Sequence, residues 1–168
     1  MRVAIIGNSG SGKSTLASAL ATAHGLPVLD LDTVAWEPGQ VAVARDASKA
    51  VEEVDRFCRS QPGWVIEGCY ESLIEAALAH RPLLVFLDPG VRVCEARCRQ
   101  RPWEPHKYAS RREQDERLAF LIDWVRGYDT REGALSRAAH EALFDRYEGP
   151  KRRLTGLASI EDLPAWDR

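Results

Sequence analysis

Asparagine occurs only once in this chain of 168 residues, at Asn8. That scarcity removes the N-K-x-D motif that reads guanine, and no D-x-x-G switch is present either, so a switch GTPase is excluded. No run of about 18 apolar residues exists, so no stretch reads as a membrane-spanning helix. Neither sign of charge is in excess. Lysine and arginine total 23 against 25 acids, a net charge of −2, which leaves no global field to hold nucleic acid or an anionic membrane. The four cysteines, Cys58, Cys69, Cys94 and Cys98, contain no C-x-x-C pair. Cys94 and Cys98 share a face of an expected helix without partner ligands at metal spacing, so they read as buried, reduced thiols. Internal repeats, linkers and low-complexity segments are absent. "MRVAII" is too short for a signal peptide and breaks into a glycine loop, so a cytoplasmic protein is expected.

What remains is one core's worth of apolar residues, 45% hydrophobic against 29% charged, in strands and helices that alternate. "VAII" (3–6) reads as a buried parallel strand closed by Gly7. A helix follows over 13–24, stopped by Gly25 and Pro27. "PVLDLD" (27–32) predicts a second strand, and "TVAWEPGQ" a loop. Asp46 caps a helix whose face is Ala47, Ala50, Val51, Val54, Phe57 and Cys58. "WVIE" (64–67) is a third strand, and a helix over 72–80 ends before Pro82. "LLVFLD" (83–88) is the most apolar strand, and Pro89 suits the first turn of a helix over about 90–101. The segment 102–114 has no apolar period. Helical spacing resumes at Leu118, Leu121, Ile122 and Val125, then at Leu135, Ala138, Ala139, Ala142 and Leu143. "KRRLTGL" (151–157) is a final strand. Ser159 caps one last turn within "SIEDLPAW".

The stretch "GNSGSGKST", Gly7 to Thr15, lies between the first strand and helix. Gly7, Gly12, Lys13 and Ser14 satisfy G-x-x-x-x-G-K-[ST] in the context that pattern requires. Glycines let backbone N–H groups turn inward as an anion nest at the positive end of a helix dipole. The expected phosphate cradle is Gly7, Asn8, Ser9, Gly10, Ser11, Gly12, Lys13, Ser14 and Thr15. Lys13 adds mobile charge near the β- and γ-phosphates, and Ser14 offers a hydroxyl to Mg²⁺. A transporter or motor ATPase needs more chain and an Asp–Glu pair after an apolar strand, which neither "WVIEG" nor "LLVFLDPG" supplies. A small phosphotransferase fits what is left.

In doubly wound sheets ligands sit at the C-terminal strand ends, where Asp32, Glu67 and Asp88 fall. Glu67 is the expected Mg²⁺ partner beside Ser14. Asp30 and Asp32 form a D-x-D that strand alternation puts on one face. Asp32 is the acid expected to face the acceptor or take the proton of its hydroxyl. A plainer part as cap or solvated carboxylate stays open for each.

These segments resemble the adenylate-kinase-like P-loop kinases, and within them the small bacterial proteins often labelled DNA topology modulation proteins. "VLDLDTVAWEPG" is similar to that family's L-D-x-x-x-W-x-P-G, "WVIEGCY" to its I-I-D-G-N-Y, and "FLDPGVRVCEARCRQR" to the kinase stretch leading into the lid. The resemblance implies that Arg97 and Arg101 are lid-edge arginines that contact ATP. Glu67 stands where aspartate is usual, and Cys69 where asparagine is. The proline–arginine pair that helps adenylate kinases hold AMP has no match after "EGCYES", and the glycine triplet of shikimate kinases is absent.

The expected protein is therefore a three-layer α/β P-loop NTPase, like the nucleoside monophosphate kinases, with a five-stranded parallel sheet in order 2-3-1-4-5. A small helical lid covers about 102–114. It is expected to use ATP and Mg²⁺ as a monomer or homodimer, acting on a small-molecule phosphate acceptor, with Lys13, Asp32, Arg97 and Arg101 as catalytic residues. Arg97, Arg99, Arg101, Lys107, Arg111 and Arg112 make the lid region basic, and His106 reads as a surface residue. Tyr128, Arg131 and His140 are candidates for an acceptor pocket. Trp36 and Tyr70 either pack on the acceptor or anchor a loop. Two other classes stay open: a DNA-associated regulatory ATPase, and a nucleotide-binding domain that needs a protein partner.

Overall fold

The computed structural model describes residues 1–37, 43–103 and 109–164. Pro38 to Gln40 of the expected loop, Glu104, His106 and Lys107 of the basic segment, and Trp166 lie outside the described residues.

Five parallel strands form one sheet: β1 (Arg2–Gly7), β2 (Val28–Asp30), β3 (Trp64–Gly68), β4 (Leu83–Leu87) and β5 (Lys151–Leu154). Their order is β2-β3-β1-β4-β5, the order expected with the resemblance to P-loop kinases. The described helices are α1 (Lys13–His24), α2 (Asp32–Ala35), α3 (Ala47–Ser60), α4 (Glu71–Leu78), α5 (Val91–Arg99), α6 (Arg111–Arg126) and α7 (Arg137–Arg146). The fold is that of a three-layer P-loop NTPase. No described helix is long and apolar enough to cross a membrane.

Alternation along the strands splits the core into two layers. Ala4, Ile6, Trp64, Ile66, Leu84 and Phe86 point to the face covered by α3, α4 and α7. Val3, Ile5, Val65, Leu83, Val85 and Leu87 point to the face covered by α1 through Leu16, Ala17 and Leu20. A separate cluster joins Cys94 and Cys98 of α5 to Ile122 and Val125 of α6, so these thiols serve as small apolar residues. Burial pushes the Cys94 thiol up to about 11 and the Cys58 thiol up to about 12.

Register sets the site. Gly7 pairs with Leu87, Ile6 with Gly68, and Asp30 with Glu67, so the ends of β1 to β4 form one rim.

Several boundaries differ from expectation. β2 ends at Asp30, and the expected loop begins with a helix instead: Asp30 Oδ1 accepts the Asp32 N–H at 2.9 Å and turns the chain into α2. The D-x-D therefore does not share a strand face. Pro89 stands outside α5, whose N-cap is Gly90 at φ 89°. On α3, Ala50, Val54 and Cys58 are buried while Ala47 and Val51 are exposed, because the contact stripe is narrower than the apolar pattern. On α7 the alanines at 138 and 142 face out, and His140 lies inside with Leu143. Ser159 does cap a final 3₁₀ turn over Ile160–Asp162.

Candidate active site

The phosphate loop is built to leave donors unused. α3, α6 and α7 are capped by the side chains of Asp46, Ser110 and Ser136, each accepting backbone N–H groups of its first turn. α1 begins on Gly12 at φ 102°, with no side-chain cap and no acid in its first turn. The N–H groups at Lys13, Ser14 and Thr15 thus face outward at the positive end of a 12-residue helix. Ser11 Oγ, 1% exposed, has no hydrogen-bond partner. Gly10 has φ 78°, and a Cβ there would press on the Cys94 carbonyl and lie 2.8 Å from Cys98 Sγ, so only glycine lets the loop lie against α5. Such a concave set of free donors fits phosphate oxygens.

The other loop residues hold the cradle in shape. Lys13 Nζ donates to the Asn8 carbonyl at 3.0 Å, which keeps the ammonium over the loop. The Ser9 N–H donates to Asn8 Oδ1 at 2.9 Å. Asn8 Nδ2 donates to the Val125 carbonyl of α6 at 3.1 Å. Sequence reasoning assigned Asn8 to the ligand. Its side chain is instead a tether, joining residues 117 apart. Arg97 Nη1 donates to the Ser11 carbonyl at 2.9 Å, so this arginine reaches the loop from α5. Arg101 follows α5, half-buried, with its N–H on the Cys98 carbonyl at 3.4 Å.

The strand-end acids divide by role. Ser14 Oγ donates to Glu67 Oε1 at 2.6 Å, and Glu67 is 4% exposed. Burial pushes its carboxyl up, Lys13 and the Ser14 hydroxyl pull against that, and the charges of Asp30 and Asp32 raise it further. Glu67 at the end of β3 is therefore acted on by one lysine and two further acids. Asp32 accepts the Tyr70 hydroxyl at 2.8 Å, and that hydroxyl accepts the Trp36 indole N–H at 2.9 Å. An indole only donates, so every proton in this chain runs toward Asp32. Trp36, 39% exposed, stands outside the core, and its backbone bridges to Ala44.

Asp88, also expected on the rim, belongs to the scaffold. Arg137 and Arg153 both bond it, at 2.8 and 2.6 Å for the shortest contacts. Burial raises its carboxyl, but these guanidiniums outweigh that and hold it below the usual value.

His140 is fully buried between two bonds. Its Nε2 meets the Cys69 carbonyl at 2.8 Å, and a carbonyl can only accept, so Nε2 carries the proton. Nδ1 then accepts the Tyr128 hydroxyl at 2.7 Å. Burial drives the imidazole down to about 4, so it stays neutral. His140 and Tyr128 thus support the end of β3 and do not offer free groups to an acceptor. Of the basic segment, Arg99 pairs with Glu95, Arg111 with Asp115 and Arg112 with Glu116, each on its own helix and partly or mostly exposed. Those three serve helix surfaces rather than a phosphate.

Among the described residues no three His, Cys, Asp or Glu side chains converge as a metal cage. Mg²⁺ needs less than that: one or two protein oxygens, with substrate phosphates and water supplying the rest. Ser14 and Glu67 provide a hard oxygen pair of that kind beside the free donors of α1.

No family model matches the chain, and no curated protein matches it. Solved structures do. A shikimate kinase from Bacteroides thetaiotaomicron superposes with a TM-score of 0.54 at 17% identity, covering 96% of this chain and 91% of that one. A sugar kinase from a Janibacter species superposes with a TM-score of 0.53 at 14% identity, covering 91% of this chain and 83% of that one. At such identities the likeness shows a shared fold.

Proposed function

We propose that this chain is a kinase that moves the γ-phosphate of ATP·Mg²⁺ to a hydroxyl of a small molecule, and that it belongs to the adenylate-kinase-like branch of P-loop kinases. The observation that carries the reading is the Ser14–Glu67 bond of 2.6 Å, which sets the phosphate cradle against an acidic rim that includes Asp32. A binding module needs the cradle alone. Phosphoryl transfer needs a second half that orients a nucleophile.

On this reading the loop amides and Lys13 hold the triphosphate, and Ser14 and Glu67 hold the metal. Bound there, Mg²⁺ would neutralise charge on the phosphate oxygens. Asp32, oriented by Tyr70, faces the acceptor hydroxyl and receives its proton as the new P–O bond forms and the bond to the β-phosphate breaks. Arg97 already lies at the loop, and it and Arg101 answer the charge that develops on the migrating group. Residues 102–114 close over the site as a lid that excludes water.

ADP release measured against a panel of nucleosides, nucleotides, sugars and hydroxy acids tests this. Acceptor-dependent release, abolished in Lys13→Ala, supports the kinase. Acceptor-independent release together with salt-sensitive DNA binding would replace it with a DNA-associated ATPase.

A further inference from the structure

The Arg131 guanidinium lies flat on Trp124 of α6, with its carbon 3.7 Å from the ring centroid, and 5.9 Å from that of Tyr128. Its N–H at the backbone bonds the Gly127 carbonyl at 2.7 Å, and Nη2 bonds the Trp124 carbonyl. Nε and Nη1 are sealed from solvent and have no acceptor. Sheltered guanidinium donors left open in this way are costly, and native structures seldom keep them without a reason. No acid among the described residues pairs with its charge either. Arg137 and Arg153 have Asp88 and Arg126 has Glu95, whereas the groups acting on Arg131 are the Cys69 thiol and the Tyr128 phenol. Burial accordingly pulls its pKa down.

Its position supplies the reason. Cys69 ends the β3 rim one residue beyond Gly68, and it feels both Lys13 and Asp32. His140, bonded to the Cys69 carbonyl, feels both Lys13 and Arg131. Tyr128, its ring 5.9 Å from the guanidinium, bonds His140, His140 bonds the Cys69 carbonyl, and Tyr70 beside Cys69 bonds Asp32. A chain of contacts thus ties Arg131 to the Asp32 side of the site, while Arg97 serves the loop. We propose that Arg131 anchors an anionic group, a carboxylate or a phosphate, carried by the acceptor away from the hydroxyl that is phosphorylated. This rests on the kinase reading for its substrate and on the open guanidinium for its charge. A neutral hydroxyl would satisfy the two nitrogens but leave the buried charge uncompensated.

Two measurements test it. With the loop filled by Mg²⁺ and a non-hydrolysable ATP analogue, inorganic phosphate should raise the melting temperature of the wild type, and glycerate should do so if carboxylates suffice. Arg131→Gln should remove both shifts. Arg131→Lys, which keeps charge and stem, should weaken them about tenfold in concentration and replaces the glutamine variant should that fail to fold. No shift in the wild type, or an equal shift in Arg131→Gln, overturns the proposal. In turnover, glycerol, glycerate and glycerol phosphate share a three-carbon hydroxylated frame and present a neutral, a carboxylate or a phosphate end, and a matched set can be built in the same way on an acceptor found in the panel. The charged members should be preferred by about 10- to 100-fold in kcat/KM, and Arg131→Gln should erase the preference while leaving the KM for ATP unchanged. A rise in the KM for ATP equal to that for the acceptor would assign Arg131 to the donor phosphates and overturn the proposal. Phosphate binding that depends on Arg131 without any turnover would sink the kinase reading and leave the anion site standing.

Discussion

The two halves of the candidate site are held by different means. The phosphate cradle is a backbone object: glycines at positive φ, an uncapped helix end, and carbonyls held by Lys13 and Arg97. The opposite half is a side-chain object, a relay from half-exposed Trp36 through Tyr70 to Asp32, with Arg131 linked to the neighbouring Cys69 through Tyr128 and His140. A backbone cradle recognises what all nucleotides share. A side-chain half is free to change with the molecule it receives. Function varies between proteins of one fold through such changeable sites.

Four substitutions probe that division. Lys13→Ala strikes what both halves share and should lower acceptor-dependent ADP formation about 1000-fold, with an unchanged melting temperature in the absence of nucleotide. Asp32→Asn should lower kcat about 100-fold while ATP binding by calorimetry stays put; an equal loss of ATP affinity would show that the halves are not separable. Tyr70→Phe removes the donor to Asp32 and should cost about tenfold in kcat, with no further loss when combined with Asp32→Asn. His140→Gln keeps a donor for the Cys69 carbonyl and should act on stability alone. The folded imidazole titrates near 4 against an ordinary 6.5, so the unfolded chain takes up the proton first. Its contribution is whole above about pH 6.5 and drains away as pH falls toward about 4, a loss of about 3 kcal/mol. Denaturant melts across that window should therefore be less steep in pH for His140→Gln than for the wild type.

The same division governs what could be read from the residues alone. The cradle is written in nine consecutive positions, and the bounds of α1 and the cap at Asp46 follow from local pattern, whereas the strand order came with the resemblance to P-loop kinases. Asp32 and Glu67 are legible as strand-end acids, but their partners are not. Tyr70 reaches Asp32 across 38 residues and His140 reaches Cys69 across 71, and no periodicity encodes such pairs. α7 forms where the spacing places it, but the face that it buries was only partly legible. Alanines look like a core face, yet a histidine with two bonds to satisfy took the inside. The paired-acid motif failed because Asp30 uses its carboxylate to end the strand before alternation can apply.

The bond from Asn8 to the Val125 carbonyl makes the nucleotide loop part of the suspension of α6. That amide links helix and cradle directly, beside the route that runs through the packing of α6 on α5, and neither crosses the sheet. The strut works in the other direction as well: a load seated on the loop stiffens the point from which α6 hangs. The wall that carries Trp124 and Arg131 is thereby geared to the floor that would carry the phosphates.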